Sequence, residues 1–265
     1  MSQEFPPLKS PSKPLVIAHR GASAYRPENT LGAYALAVEQ QADMIEIDLH
    51  LTRDGSIVIA HDSDLEHFGA EGEIGSQTLA EIKQLNAGRG RGEVARVPTL
   101  DEVLDAFGQV IPFNLEIKAS RSGDYLGLEE ATLAALKARG LAESILFSSF
   151  EDSILGRIRT AAPNARLAVL VDPRAPTSML ERAEKMGAEA INPYFLLVNK
   201  QMVEEAHGAG MGVYPYTVDD LEQMKRLVDL GVDGLFTNRP DRMRALVDDA
   251  AGQPSSATSA GAPEP

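Results

Sequence analysis

Residues 44–60 read MIEIDLHLTRDGSIVIA, and the fold turns on how this stretch divides. Two apolar, β-branched runs flank Thr52-Arg53-Asp54-Gly55-Ser56. Parallel strands need a crossover of about a dozen residues or more, whereas Asp-Gly is a hairpin signal. Ser56–Ala60 is therefore expected to fold back antiparallel on Met44–His50. Strand residues i and i+2 share a face, so Glu46 and Asp48 should point the same way from an otherwise apolar strand.

Outward from this hairpin, further strands are predicted at Leu15–Ala18, Pro112–Ile117, Ile145–Ser149, Arg166–Val171, Glu189–Pro193, Gly212–Thr217 and Asp233–Thr237. With Ser56–Ala60 set aside as an excursion, eight strands remain. In the second half, Gly140, Gly187, Gly210 and Gly231 each follow a helix-like segment and precede a short apolar run, the last three at spacings of 23 and 21 residues. Glycine just past a helix end supplies the left-handed position there. Thr99 with Glu102 and Ser178 with Glu181 match the capping box, and Asp219 is a candidate N-cap. Repeated helix, Gly and strand is the pattern of a parallel sheet, and the prediction is a (β/α)8 TIM barrel. A doubly wound open sheet is the alternative, but no Gly-rich phosphate loop follows the first strand.

Length and composition agree. The 265 residues are 43% hydrophobic and only 5% aromatic, with no Trp, so the core must be aliphatic, as in a sheet buried on both faces. Residues 1–14 and 250–265 are Pro-rich and poor in large apolar residues. They are expected to be disordered tails around one domain over 15–249. The segment 62–98 holds six glycines and one helix-like piece, Leu79–Leu85; it reads as a small insertion over the barrel mouth. A net charge of −14 disfavours nucleic acid and anionic membranes. It would also repel an anionic substrate, unless a bound cation inverts the local field. There is no cysteine, no signal-like start and no run of about 18 apolar residues, so a cytoplasmic enzyme without membrane insertion is expected.

Working residues of barrel enzymes sit at the C-terminal ends of strands. There the chain carries His19-Arg20-Gly21, Glu46-Ile47-Asp48, His61-Asp62 and Glu116-Ile117-Lys118. Three inward carboxylates, Glu46, Asp48 and Glu116, would repel one another unless a cation joined them. An all-oxygen set favours Mg²⁺ or Ca²⁺ over Zn²⁺. Each residue alone has a plainer reading: His19 as a structural histidine, Arg20 or Lys118 as the ion-pair partner of a carboxylate. The convergence of four polar clusters at one end of the barrel outweighs these readings. His50, His67 and His207 are expected to be ordinary polar or surface residues.

The ordered set His19-Arg20-Gly21, Pro27-Glu28-Asn29-Thr30, Glu46-Ile47-Asp48-Leu49, Thr52-Arg53-Asp54-Gly55, His61-Asp62 and Asn114-Leu115-Glu116-Ile117-Lys118 resembles the glycerophosphodiester phosphodiesterases. Ser148-Ser149-Phe150, Tyr216-Thr217-Val218 and Thr237-Asn238-Arg239-Pro240 extend the resemblance over about Leu15 to Asp241. It implies a β/α barrel in which Glu46, Asp48 and Glu116 bind one divalent cation, and His19 and His61 form an acid/base pair. By the same resemblance Arg20 and Lys118 contact the phosphate, while Phe150 and Tyr216 line the glycerol or head-group side. Many members carry Trp where Tyr216 stands. Glu28 is open between a place at the site and a structural role at a helix start. The implied reaction is hydrolysis of a small-molecule glycerophosphodiester to sn-glycerol 3-phosphate and an alcohol. The alternatives are a phospholipase C/D-like activity and a barrel that binds phosphodiesters without turnover. The first would want an apolar mouth, and 67–92 is polar and Gly-rich; the second would usually have lost a histidine or a carboxylate.

Overall fold

The computed structural model describes residues 13–121, 123–174 and 178–252. Most of both expected tails lies outside these residues. The described ends reach further than expected: Lys13 pairs with Asp248 at 2.7 Å, and the last helix continues to Gly252. Ala250 and Ala251 are good helix formers even where composition reads as a tail.

The strands are β1 (Leu15–His19), β2 (Met44–Leu51), β3 (Ile57–Ile59), β4 (Phe113–Ile117), β5 (Ile145–Ser149), β6 (Arg166–Val171), β7 (Ala190–Pro193), β8 (Gly212–Val213) and β9 (Gly234–Thr237). All but β3 are parallel, in the order β8-β7-β6-β5-β4-β2-β1-β9. The ring closes where Asp233 N–H donates to Val213 O and Phe236 N–H to Pro215 O, both at 3.0 Å. This is a (β/α)8 TIM barrel. β3 pairs antiparallel with β2, Leu49 facing Ile59 and Leu51 facing Ile57, so the Asp-Gly hairpin forms as read. β8 is shorter than the expected 212–217 because Pro215 has no N–H to give to the ladder.

The α-helices among the described residues are α1 (Leu31–Glu39), α2 (Leu79–Ile82), α3 (Leu100–Phe107), α4 (Leu128–Arg139), α5 (Asp152–Ala161), α6 (Met179–Met186), α7 (Lys200–Gly208), α8 (Leu221–Leu230) and α9 (Pro240–Gly252). Thr99 and Glu102 form the expected capping box at α3. Two caps differ from expectation. Ser178 has φ +64° and its side chain caps nothing, since a capping residue needs extended backbone. Asp220, not Asp219, caps α8 by accepting from Gln223 N–H. Asp219 is turned toward the end of β9 instead.

Strand alternation divides the core. Ile17, Met44, Leu146, Ala168, Ala190 and Phe236 belong to one buried cluster, while Val16, Ile45, Ile47, Leu115, Phe147 and Val169 belong to a larger one with the helices. These are the inner and outer faces of a barrel sheet. The excursion at 62–98 has its own small core, Leu65, Ile74, Ile82 and Val97 packed with Val58 and Ala60 of the hairpin. It is tied to the loop after β1 by Arg91, which donates to the Ser23 carbonyl at 2.6 Å, and by the Arg26–Glu93 pair at 2.9 Å. Among the described residues no helix is long and apolar enough to cross a membrane.

Gly21 fixes how β1 hands over to α1. Its φ is +82°, and a Cβ there would lie 2.7 Å from the Ala33 backbone carbon. Gly21→Ala should therefore lower unfolding stability by about 2 kcal/mol or more in urea titration. An unchanged midpoint would mean that this close approach relaxes at little cost.

Candidate active site

The inward face of β2 delivers Glu46 and Asp48, and β4 delivers Glu116 directly opposite Asp48. One carboxylate oxygen from each lies within 4.8 Å of the others, and all three residues are buried. Two cations face them. Lys118 Nζ is 2.6 Å from Glu116 and 3.0 Å from Asp48, and Arg20 Nε is 3.4 Å from Asp48. Arg20 also pairs with Glu28 at 3.0 Å, and its backbone N–H donates to Glu46 at 2.9 Å. Glu28 thus reaches the edge of the site through Arg20.

Electrostatics set the protonation of this cluster. Burial drives the Glu46 carboxyl well above the usual range, with Asp48 and Glu116 adding to the shift. Burial also raises Glu116, against the pull of Lys118. For Asp48 burial acts upward too, but Lys118 and Arg20 overcome it and hold the carboxyl far below its ordinary value. With all three ionised, three carboxylates against two cations would leave one negative charge in excess, and Glu46 Oε1 is buried with no hydrogen-bond partner. An orphaned oxygen beside two more carboxylates is a donor set suited to a divalent hard cation, which would let all three ionise. These residues could hold a metal.

The histidines are placed by different means. His19 ends β1, its Nδ1 2.8 Å from Asn238 Oδ1 and its Nε2 3.9 Å from Glu46. Burial, with help from Arg20, pushes it down to about 3. His61 follows the hairpin, with Nδ1 3.0 Å from Asp62. It too is lowered, by burial foremost, with Asp48 opposing. His19, His61, Glu46, Glu116, Arg20 and Lys118 open on one cavity of about 300 Å³. Its other side is aromatic: Phe150, Tyr194, Phe195 and Tyr216. The Phe150 and Tyr216 rings meet edge to face at 6.0 Å, and the Tyr216 hydroxyl donates to the Val171 carbonyl at 2.8 Å, which anchors its ring.

The structure therefore brings together all nine residues singled out from the sequence; Asp48 alone does not line the cavity and lies behind Lys118 and Arg20. It adds others. Asn29, at φ +55°, donates to Asp48 at 2.7 Å and is itself held by the Tyr34 hydroxyl, while Thr30 caps α1. Asn114 and Ser148 form a buried hydrogen-bonded pair beside Glu116. The cue for Asn29 was an Asx residue one step before a cap, where the left-handed conformation is tolerated. His50, expected to be an ordinary polar or surface residue, is fully buried, with Nε2 3.2 Å from the His61 carbonyl and Nδ1 2.9 Å from the Tyr125 hydroxyl. A carbonyl only accepts, so Nε2–H donates to it and Nδ1 accepts from Tyr125. His207 is half-exposed and bonds Asp233 at 2.8 Å.

The structure thus gathers three carboxylates, two cations and two imidazoles at one end of a β/α barrel. Residues 19–242 match the model of the glycerophosphoryl diester phosphodiesterase family, and the chain belongs to that family and is an enzyme of its class. It is 37% identical to a glycerophosphodiester phosphodiesterase of Caldanaerobacter subterraneus subsp. tengcongensis, over 89% of this chain and 98% of that one. It is 34% identical to one from Bacillus subtilis, over 88% and 86% of the two chains. Among solved structures, an Oleispira antarctica phosphodiesterase in complex with the product sn-glycerol-3-phosphate superposes with a TM-score of 0.78, at 32% identity, covering 89% of this chain and 97% of that one.

His50 makes stability near this site pH-dependent. Burial pushes its imidazole down to about 4 from 6.5, so between those values the unfolded chain binds a proton that the folded one refuses. Its contribution is whole above about pH 6.5 and is lost as pH falls toward about 4, a change of ~3 kcal/mol. Urea unfolding across this range should show a flatter pH dependence for His50→Gln than for the wild type. Equal slopes would mean that His50 does not stay neutral in the fold.

Proposed function

We propose that the protein hydrolyses glycerophosphodiesters such as glycerophosphocholine to sn-glycerol 3-phosphate and an alcohol. The reaction would depend on a divalent cation, Mg²⁺ or Ca²⁺, held by Glu46, Asp48 and Glu116. The observation that carries this reading is the opening of Glu46 and Glu116 of the carboxylate cluster, Arg20, Lys118 and two imidazoles on one cavity, with Asp48 within reach of both carboxylates. The Oleispira relative, described with sn-glycerol-3-phosphate, supports the same product.

A bound cation supplies charge neutralisation and polarisation at a phosphoryl oxygen. Arg20 and Lys118 donate to the same phosphoryl group, where negative charge grows in the transition state. His19, lowered by burial, is neutral at physiological pH and accepts the proton of the nucleophile. That nucleophile is either water or the neighbouring glycerol hydroxyl. His61 gives a proton to the departing alkoxide; Asp48 and the Asp62 carboxylate beside its Nδ1 favour the charged ring that this needs, against the burial that lowers it. Phe150 and Tyr216, with Tyr194 and Phe195, wall the glycerol and head-group side. One water is consumed and one P–O ester bond breaks; His19 then releases the proton it took and His61 regains the one it gave by exchange with solvent water, which restores both imidazoles.

Glycerophosphocholine incubated with purified protein should release glycerol 3-phosphate with Mg²⁺ or Ca²⁺ present and none with EDTA. His19→Ala and His61→Ala should each lower turnover by about 10²–10⁴ with the folded circular-dichroism spectrum retained. Choline phosphate as the product would move the cleaved bond and support a phospholipase-C-like activity instead. No product from folded, metal-supplied protein would count against the reaction itself.

A further inference from the structure

The turn Thr237-Asn238-Arg239 follows β9, where the barrel closes, and it lies against the end of β1. Asp219 binds it tightly. Asp219 Oδ1 accepts from the Asn238 backbone N–H at 2.8 Å and from the Thr237 hydroxyl at 3.1 Å. Asp219 Oδ2 accepts from Asn238 Nδ2 at 2.7 Å. Asn238 Oδ1 then lies 2.8 Å from His19 Nδ1 and 2.7 Å from the Ser23 hydroxyl.

Donor and acceptor chemistry fixes the direction of this chain. An ionised carboxylate only accepts, so the amide NH₂ of Asn238 must face Asp219. The flipped amide would set two oxygens 2.7 Å apart. With NH₂ committed, the carbonyl end faces His19, and it too only accepts. His19 Nδ1 must therefore carry the hydrogen, and a neutral ring then leaves the Nε2 lone pair free on the cavity side. The Ser23 hydroxyl lies 2.7 Å from both the His19 carbonyl and Asn238 Oδ1, and gives its proton to one of them without changing this logic.

We infer that Asn238, oriented by Asp219, is a positioning residue that locks His19 in the Nδ1–H tautomer and keeps Nε2 available as the proton acceptor. The inference rests on the reading of His19 as the base, and assigns the pair that makes it one. A neutral amide is well matched to this role, because it orients the ring without the added charge that a carboxylate would lend to the imidazolium. His61, with Asp62 at its Nδ1, has the opposite arrangement. The two histidines, alike in sequence, differ in what holds the far nitrogen. When Nε2 takes a proton from the nucleophile, the Nδ1–H bond to Asn238 is kept, so the ring does not turn during the step.

Two-bond ¹H–¹⁵N correlation spectra of the full-length, Mg²⁺-loaded, ¹⁵N-histidine-labelled protein test this directly, at a pH where imidazoles are neutral. The chain has 5 histidines, and His19→Gln identifies the His19 signals. The wild type should show Nδ1 protonated and Nε2 bare. In Asn238→Ala the ring should shift toward the Nε2–H form favoured by a free side chain, and kcat should fall about 10²-fold with KM little changed. The exchanged pair Asp219→Asn with Asn238→Asp restores a complementary chain, with the new carboxylate accepting from Nδ1–H and the new amide donating to it. It should recover the tautomer and most of kcat. An Nε2–H tautomer in the wild type overturns the inference without any variant having to fold. A tautomer unchanged in Asn238→Ala overturns it as well. Tautomers as expected with full turnover in His19→Ala would uphold the clamp and sink the base assignment, so the two readings fail separately.

Discussion

Three carboxylates and two cations buried side by side set the terms for everything built around them. Glu46, Asp48 and Glu116 stand on neighbouring strands because the register of β2 and β4 puts Asp48 opposite Glu116. Such a cluster is costly in a low-dielectric interior unless every charge is answered. Lys118, Arg20 and Asn29 answer Asp48 with short contacts, and its carboxyl stays ionised. Glu46 is answered least and is pushed toward its neutral form. The unequal treatment leaves room for one divalent cation among the three. That cation would also explain how a chain with a net charge of −14 takes an anionic substrate.

The scaffold around the cluster serves to hold it. Gly21 lets α1 approach β1, which brings Asn29 and Tyr34 to the back of Asp48. The β2–β3 hairpin carries His61 back to the mouth, and His50 pins its main chain from below. Barrel closure between β1 and β9 carries Asn238 to His19. Each histidine is thus positioned by a different joint of the barrel, and neither by the strand it terminates alone.

Much of this was legible in the sequence, for identifiable reasons. Asp54-Gly55 marked the hairpin, which left eight strands. Glu46, Asp48 and Glu116 were visible because charges inside apolar runs violate the pattern of a buried strand. His19 and His61 were visible because they fall at strand ends. The polar residues that orient them were not. Asp219 and Asn29 sit beside helix starts, where Asp and Asn ordinarily serve as caps, and the capping residues proved to be Asp220 and Thr30. Asn238 lies 219 positions from His19 in the chain, and local pattern carries no information about such a pair. His50 looked peripheral because its partners, Tyr125 and the His61 carbonyl, come from other segments. The shortness of β8 could have been read from Pro215, whose missing N–H rules out a full ladder.

A carboxylate cluster that binds an anion does so through a cation, and isothermal titration of the protein with sn-glycerol 3-phosphate can separate the two contributions. The titration is run with Mg²⁺ or Ca²⁺ present and again after chelation. Binding should be measurable with the cation and weakened at least about tenfold, ~1.4 kcal/mol, without it. Glu46→Gln should show the weakened binding even when the cation is supplied. Equal affinity with and without divalent cation would contradict a cation-bridged site, and would leave Arg20 and Lys118 as the whole of the anion site.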